Sequence, residues 1–244
     1  MRTSPVTLSL IIPAFNEEHR IGPSLEQIFR FCNAQSYAYE VIVVDDGSTD
    51  DTPSLIRQRF GGHPQLNLLR QSTRSGKGAA VQQGMLQSRG EYILFSDADL
   101  AVPIAAVSPF IDQLKNGCDI AIGSRRAPGS LIEVHQPKFR EALGRVFIWL
   151  SNLLLGLDHS DITCGFKGFR RDVARQLCAQ QRVHNWSFDA EILFLARLKG
   201  YRVAEIPVSW RNGRGTKVRL WKDAAASFLG LLKIRANHLA GKYR

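Results

Sequence analysis

The strongest constraint on the fold is a repeated alternation of short apolar runs with helical segments over the first half of the chain. The apolar runs, among them LSLIIP, YEVIVVDD and YILFS, carry Val, Ile and Leu at nearly every position instead of every second one. Strands of this type are buried on both faces, as in a parallel sheet covered by helices on either side. We therefore predict an α/β fold with a Rossmann-like, mostly parallel sheet, helices on both faces and amphipathic helices toward the C-terminus.

The same pattern sets the expected elements. The second half of the chain continues the pattern as an elaboration of the same domain, and no internal repeat is present, so we expect a single domain over residues 1–244. The predicted strands are 8–13, 39–46, 66–70, a strand that begins at 92, 119–125 and 202–210. The predicted helices are 21–33, a segment after 52, 78–88, 104–116, a long helix that ends at 155, and a segment around 186–193.

Acidic and basic side chains follow the predicted strands where those strands end. Asp97 and Asp99 follow a buried strand in the run YILFSDADLAVP, and alternate residues of an extended segment point the same way. Two carboxylates at one point need a cation or strong hydrogen-bond donors to hold them there. Their hard oxygens, with no Cys or His nearby, favour Mg²⁺ or Mn²⁺. A surface turn is the alternative for so short a pattern. Asp46 and Arg125 also follow strands, and ligands bind at these carboxyl ends of a parallel sheet.

Several enzyme classes lack their motifs here. The run RSGKGAA does not complete a phosphate-binding loop of the Walker type, although a glycine-rich helix start can still hold a phosphate. A dinucleotide-binding G-x-G-x-x-G after the first strand and a Gly-x-Ser-x-Gly elbow are both absent from the sequence. The four cysteines show no C-x-x-C spacing, which argues against a zinc site and for a reducing compartment.

The net charge of +10 is concentrated at the end of the chain. From Ala196 onward there are 12 basic and 2 acidic residues, so the whole excess lies there. Such a block suits nucleic acid, anionic lipid or a phosphorylated substrate, with a solvated helical face as the alternative. We do not expect nucleic acid, because no DNA- or RNA-binding motif accompanies the charge. The apolar segments 146–157 and 224–241 are too short or too interrupted to span a bilayer, and suit either interfacial helices or core helices.

Eight motifs stand in one order along the chain and together resemble the family 2 inverting glycosyltransferases of GT-A fold. They are IIPAFNEE, VVDDGSTD, GKGAAVQQG, SDADL, IGSRR, CGFKGF, WSFDAEIL and EIPVSW. Within this family the chain is similar to the polyprenyl-phosphate sugar transferases, and DITCGFKGF and GTK are most similar to the dolichyl-phosphate glucosyltransferase branch. The mannosyltransferase branch is second. Relatives of that branch often carry a glutamine as a further metal ligand where this chain has Ala101.

The resemblance implies a role for each matching residue. It implies a nucleotide-sugar-binding half at about 1–125, with the nucleotide, its base, its diphosphate and the metal held by Pro13, Phe15, Glu17, Asp46, Asp97, Ala98 and Asp99. It implies an acceptor- and membrane-facing half at about 126–244. The resemblance further implies that Arg125 binds a phosphate and that Arg140 reaches the acceptor phosphate. It implies that Arg211 and Lys217 close over the donor or the acceptor. A hydroxyl acceptor would require a carboxylate base, for which the candidates are Asp161, Asp189 and Glu191. Only Asp189 is included in the predicted site, as a catalytic residue, and bracing of the helix that carries Asp189 and Glu191 is the alternative.

The expected activity is metal-dependent, inverting transfer of glucose from UDP-glucose to a polyprenyl, dolichyl-type phosphate. The alternatives are GDP-mannose as the donor, or a soluble hydroxyl acceptor. The expected partners are the nucleotide sugar, the lipid phosphate and an anionic membrane surface. Because eukaryotic glucosyltransferase relatives carry an N-terminal membrane anchor that is not seen here, we expect a cytoplasmic protein, peripheral on the cytoplasmic face of a membrane.

Overall fold

The computed structural model describes residues 5–213 and 220–243, without the side chains of 220–223. Lys217 therefore lies outside the described residues. The strands are β1 (Leu8–Ala14), β2 (Tyr39–Asp45), β3 (Leu66–Arg70), β4 (Tyr92–Ser96), β5 (Ile120–Ser124), β6 (Leu131–Val134), β7 (Phe166–Arg170), β8 (Val203–Pro207) and β9 (Ser209–Arg211). The helices are α1 (Ile21–Asn33), α2 (Thr52–Phe60), α3 (Lys77–Gln87), α4 (Val107–Lys115), α5 (Lys138–Leu155), α6 (Arg171–Gln180), α7 (Phe188–Leu198) and α8 (Leu220–Leu239), with a short 3₁₀ turn at Ile104–Ala106.

Seven strands form one sheet in the order β3-β2-β1-β4-β7-β5-β8. All neighbours are parallel except at β7, which runs antiparallel to both β4 and β5. The mostly parallel sheet predicted from the apolar runs is confirmed. The sequence did not predict β7, because its Lys167 and Gly168 interrupt the apolar pattern on which strand prediction relies.

The predicted strand 202–210 is divided between two sheets. β8 joins the edge of the main sheet beside β5, whereas β9 pairs with β6 in a separate two-stranded sheet. The break follows Pro207, which has no N–H with which to continue a ladder of hydrogen bonds. This division takes β6 and β9 away from the main sheet.

Helices cover both faces of the main sheet, as predicted. Successive strand residues point to opposite faces, so Ile11 packs in a core with α3, α5, α6 and α7, and Leu10 packs in a core with α1 and α4. α8 packs beside α5, where the rings of Phe147 and Phe228 meet edge to face with centroids 6.0 Å apart. Within the described ranges, every helix is too short or too polar to span a bilayer.

The two halves of the chain share the main sheet. β7 and β8 come from residues beyond 126 and lie beside β4 and β5 from the first half. The assignment of the donor to the first half and the acceptor to the second stays a prediction.

Candidate active site

A cavity of about 860 Å³ opens at the carboxyl ends of β1, β2 and β4 and is walled on one side by α5 and α8. It brings together ten of the twelve predicted site residues: Pro13, Phe15, Glu17, Asp46, Asp97, Ala98, Asp99, Arg125, Arg140 and Asp189. A second cavity, of about 640 Å³, lies where β1 and β4 begin and holds none of them. Most of the residues predicted to act at the strand ends therefore line the same cavity.

The carboxylates of Asp97 and Asp99 are held among cations at the end of β4. Lys77 Nζ lies 2.5 Å from Asp97 Oδ1, and Arg20 Nη1 lies 3.8 Å from Asp99 Oδ2. Burial, followed by the like charge of Asp97, raises the pKa of Asp99. Burial alone would lower the pKa of Lys77, but the charges of Asp97 and Asp189 outweigh it and raise the pKa. An ammonium group therefore offsets the repulsion between the two carboxylates.

Gly165 allows the Asp97 side chain to occupy its position. A Cβ built on Gly165 would lie 1.9 Å from Asp97 Oδ2, well inside van der Waals contact. The Gly165 carbonyl also accepts a hydrogen bond of 3.1 Å from the Asp97 N–H. A side chain at Gly165, the first glycine of the CGFKGF motif, would therefore collide with the Asp97 carboxylate.

The aspartate pair fits a Mg²⁺ or Mn²⁺ ion that is shared with a substrate. Both side chains line the cavity and keep 37% and 26% of their surface exposed, for Asp97 and Asp99 respectively. Mg²⁺ sites commonly use one or two carboxylates and complete their shell with waters and substrate phosphates. The described residues contain no group of three or more His, Cys, Asp or Glu side chains suited to a metal. The donor set is therefore suited to an ion that binds together with a diphosphate.

Asp46 holds the loop that precedes α3. Its carboxylate accepts hydrogen bonds from the N–H groups of Ser75, at 2.6 Å, and Gly76, at 3.0 Å. Gly76 has φ +103°, and a Cβ there would lie 2.5 Å from the carbonyl oxygen of His184, so glycine is required. Since Lys77 follows directly, Asp46 fixes the start of α3. Its predicted role on the nucleotide base stays a prediction.

Beside this loop the Phe15 ring lies under a guanidinium group. The Cζ atom of Arg74 is 4.2 Å from the centroid of the ring. Phe15, Arg74, Asp46 and Pro13 line the same part of the cavity wall. A nucleobase can stack on a flat aromatic group and donate hydrogen bonds to a nearby carboxylate.

Arg125 is bound to Asp161 by two parallel hydrogen bonds. Its Nε lies 2.7 Å from Oδ2 and its Nη2 lies 2.9 Å from Oδ1 of the fully buried Asp161. Burial would raise the pKa of Asp161, but the hydrogen bonds and charge of Arg125 outweigh it and lower the pKa to about 2. Asp161 is thus a partner of Arg125 in the described structure, and the predicted binding of a phosphate by Arg125 stays a prediction.

Asp189 reaches the cavity but is paired with a buried lysine. Lys167 Nζ lies 2.5 Å from Asp189 Oδ1 and donates to the Cys164 carbonyl at 2.7 Å. The charge of Asp189 also acts on Lys77, so this carboxylate is part of the electrostatics around Asp97. Glu191, on the same helix, accepts a hydrogen bond from the hydroxyl of Tyr243 and does not line the cavity.

Three arginines face the cavity from the side of α5. They are Arg126, Arg140 and Arg145. Arg126 is within 3.3 Å of Asp161, and Arg145 is 3.9 Å from Glu141. The Nε atom of Arg140 is buried and has no hydrogen-bond partner among the described residues. A buried donor of this kind suits an anionic ligand, because an unpaired buried group costs free energy.

The comparisons with known proteins agree with this geometry. The family described as Glycosyl transferase family 2 matches residues 9–178, more than half of the chain. The chain belongs to glycosyl transferase family 2. The predicted family is therefore confirmed, and the protein is a glycosyltransferase.

Two similar sequences bear the name dolichyl-phosphate beta-glucosyltransferase. One, from Trichomonas vaginalis, is 36% identical over 227 residues, which cover 89% of this chain and 67% of that protein. Another, from Saccharomyces cerevisiae, is 33% identical over 257 residues, which cover 98% of this chain and 77% of that protein.

A similar solved structure is that of glucosyl-3-phosphoglycerate synthase from Mycobacterium tuberculosis in complex with Mn²⁺, UDP and glucosyl-3-phosphoglycerate. It has a TM-score of 0.70 at 18% sequence identity and covers 95% of this chain and 80% of that chain. The likeness confirms the predicted GT-A fold.

Arg211 and Lys217 are the two predicted site residues that are not placed in the cavity. The Arg211 side chain is exposed and donates to Glu133, at 2.6 Å, on the small β6-β9 sheet. Lys217 belongs to residues that are not described. Their predicted closure over donor or acceptor stays a prediction for both.

The structure adds cavity residues that the sequence reasoning did not assign. Lys77 is the most prominent, and the other basic residues among them are Arg20, Arg74, Arg126 and Arg145. The signal for Lys77 was available in the glycine-rich run RSGKGAA, which marks a helix start suited to a phosphate. Arg74 and Arg126 lie in the runs RSGKGAA and IGSRR, but neither run assigned them a ligand. Arg20 and Arg145 lie in no quoted motif and are brought to the cavity by the packing of separate elements.

Proposed function

We propose that this family 2 enzyme transfers glucose, with inversion, from UDP-glucose to a polyprenyl (dolichyl-type) phosphate in a metal-dependent reaction. The observation that carries the proposal is the arrangement of one cavity. The Asp97–Asp99–Lys77 group lies at one wall and the arginines Arg140 and Arg145 at another. Such a cavity suits two anions at once, a diphosphate on one side and a monophosphate on the other.

The donor side supplies groups for a nucleotide diphosphate. Phe15 and Arg74 offer a stacking surface, and Asp46 offers a carboxylate for the base. Asp97 and Asp99 would hold Mg²⁺ or Mn²⁺, which as a Lewis acid would neutralise the departing diphosphate. Lys77 is placed beside them to add charge stabilisation as the sugar–phosphate bond breaks.

On the acceptor side the cavity supplies positive charge, and the reaction needs no general base. A phosphate monoester is already largely anionic near neutral pH, with a second pKa of about 6, so its oxygen can attack the anomeric carbon without losing a proton to the enzyme. The Arg140 Nε without a partner among the described residues is suited to orient that phosphate. The charge of Asp189 is balanced by Lys167, whose Nζ lies 2.5 Å from Oδ1. We therefore assign Asp189 to the positioning of neighbouring groups and not to the role of a base.

The names of the relatives support glucose and a dolichyl-type phosphate. GDP-mannose remains the second donor, and Ala101, which lines the cavity without a ligand atom on its side chain, argues against it. A soluble hydroxyl acceptor is the third possibility and would require a free carboxylate base. We place the protein on the cytoplasmic face of a membrane, held there peripherally by anionic lipid.

The test is transfer of labelled sugar into an organic phase. The purified protein is incubated with polyprenyl phosphate and Mn²⁺ or Mg²⁺, and receives labelled UDP-glucose or GDP-mannose in parallel. We expect label in lipid from UDP-glucose alone, and loss of transfer on addition of a chelator. Asp99→Asn should lower the rate by at least about a thousandfold, whereas Asp112→Asn on the exposed side of α4 should not change it.

Each other outcome has a definite meaning. Transfer from GDP-mannose would mean that the transferred sugar is mannose and not glucose. Release of UDP without labelled lipid would overturn the lipid acceptor and favour a hydroxyl compound. Full activity of Asp99→Asn would overturn the metal assignment.

A further inference from the structure

The exposed side of α5 carries an apolar stripe. Its members follow one another at intervals of three and four residues, which places them on one face of a helix, and they are Phe139, Ala142, Val146, Trp149 and Leu153. Trp149 is 63% exposed and Leu153 is 64% exposed. The opposite side of the helix packs into the core through Phe147, so the stripe is not explained by the packing of this domain.

The neighbouring helix α8 carries a second stripe with the same spacing. It consists of Ala225, Leu229, Leu232, Ala236 and Leu239, all exposed. Leu229, Leu232 and Leu239 are exposed by 65%, 56% and 74%. Large apolar side chains gathered on adjacent helices are unusual for a surface that faces only water, and mark an interaction surface.

Basic side chains flank both stripes. Lys138 and Arg145 lie along the edge of the α5 stripe, and Lys233 and Arg235 lie on either side of the α8 stripe. All four are exposed, and no acidic residue occurs in the sequence from 224 to 239. An apolar face with a cationic border is the pattern of a helix that lies in the interface of an anionic membrane.

The same two helices form a wall of the active-site cavity. Arg140 and Gly144 of α5 and Ser227 and Phe228 of α8 line it, while the stripes lie on other faces of these helices. A phosphate carried by a lipid that is still in the membrane would therefore meet Arg140 at the edge of that surface.

We propose that the two stripes, with their basic borders, are one membrane-docking face that rests on anionic lipid and delivers the lipid phosphate to the cavity. The delivery rests on the proposed function, whereas the binding to lipid does not. A second copy of the chain is a poorer occupant, because a symmetric contact would bring the same cations against one another. Anionic headgroups instead neutralise them.

The test measures binding of the purified protein to vesicles that contain no acceptor. We expect sedimentation with vesicles of mixed phosphatidylcholine and phosphatidylglycerol, and about tenfold weaker partition in 1 M salt, where charges are screened beyond about 3 Å. Trp149→Ser/Leu153→Ser and Leu229→Ser/Leu232→Ser should each lower the partition coefficient about tenfold or more, because each removes two apolar anchors. Leu86→Ser, at a position that is 46% exposed on α3, is the matched control and should bind normally.

Activity toward two acceptors separates this inference from the proposed function. The stripe variants should keep the rate with a short-chain isoprenyl phosphate in solution, and lose it about tenfold with long-chain acceptor in vesicles. Equal vesicle binding by the wild type and both stripe variants would overturn the docking face. Dimerisation of the wild type that is lost in the stripe variants would assign the face to a second copy instead. If no polyprenyl phosphate is a substrate but the stripe variants still lose vesicle binding, the docking face stands and the proposed acceptor fails.

Discussion

Lys77 Nζ lies 2.5 Å from Asp97 Oδ1, at the point where the first residue of α3 meets the end of β4. The lysine is surrounded by the rings of Phe95, Trp186 and Phe188 at 5.4 to 6.0 Å, which limits its freedom to leave. A cation fixed in this way needs little reorganisation when negative charge develops on a leaving diphosphate.

We therefore expect Lys77→Gln to lower kcat by about a hundredfold, the usual effect of removing one fixed donor from a site of developing charge. The measurement is steady-state transfer from UDP-glucose, with circular dichroism to verify the fold. Lys115→Gln, at an exposed position of α4, is the matched control. A kcat within threefold of wild type would show that Lys77 only balances the resting carboxylates.

Arg140 gives a prediction that is specific for the acceptor. Its Nε is buried without a partner among the described residues, so it is suited to a charge-assisted bond to a phosphate. Arg140→Gln should raise the KM for polyprenyl phosphate about tenfold or more, since such a bond contributes roughly 1.5–3 kcal/mol. The KM for UDP-glucose should stay unchanged, and Arg140→Lys should recover part of the loss as a point charge.

The control for Arg140 is Arg57→Gln, which removes an exposed arginine of α2. A rise in the KM for the donor instead of the acceptor would mean that Arg140 binds the diphosphate of the donor and not the phosphate of the acceptor. Both constants are obtained from initial rates with one substrate varied and the other saturating.

How much of the structure follows from sequence depends on the range of the interactions. The end points of α1 and the position of Asp97 and Asp99 after β4 are local properties, set by apolar periodicity and by the end of a strand, and both were predicted. β7 was not predicted, because its Lys167 is buried only by virtue of Asp189, which lies 22 residues later in the chain. A charge that is neutralised by a distant partner has no signature in a local window.

The candidate site shows the same division. Ten of twelve predicted residues line the cavity because strand ends of a parallel sheet converge. The pairing of Arg125 with Asp161, 36 residues away, could not be read from spacing. Neither could the contact between Asp97, which follows β4, and Lys77, the first residue of α3.

The Arg125–Asp161 pair predicts a pH dependence of stability. The pKa of Asp161 is lowered to about 2 in the folded protein, from an ordinary value near 3.8. A carboxyl whose folded pKa is depressed stabilises the fold above its unfolded pKa, and the stabilisation is lost as the pH falls from about 4 toward 2. The shift corresponds to roughly 2 kcal/mol of the free energy of unfolding.

Asp161→Asn should therefore be less stable than wild type by roughly 2 kcal/mol or more at pH 6, and the gap should narrow at pH 3. Urea unfolding at both values measures it, with Asp158→Asn, an exposed neighbour, as the control. A gap of the same size at pH 3 and pH 6 would mean that the ionisation of Asp161 does not stabilise the fold.

The Lys167–Asp189 pair is the most deeply buried ion pair among the described residues, with 0% and 5% of the two side chains exposed. Removal of one partner leaves the other charge buried, so Lys167→Met and Asp189→Leu should each cost about 3–5 kcal/mol of the free energy of unfolding. The double variant Lys167→Met/Asp189→Leu should be more stable than the sum of the single effects predicts, because neither charge remains. Urea unfolding of the four proteins gives this coupling, and Lys199→Met at an exposed position controls for the change in side chain. Additive single effects below about 1 kcal/mol each would show that water reaches the pair, and Asp189 would then be free to act on an acceptor proton.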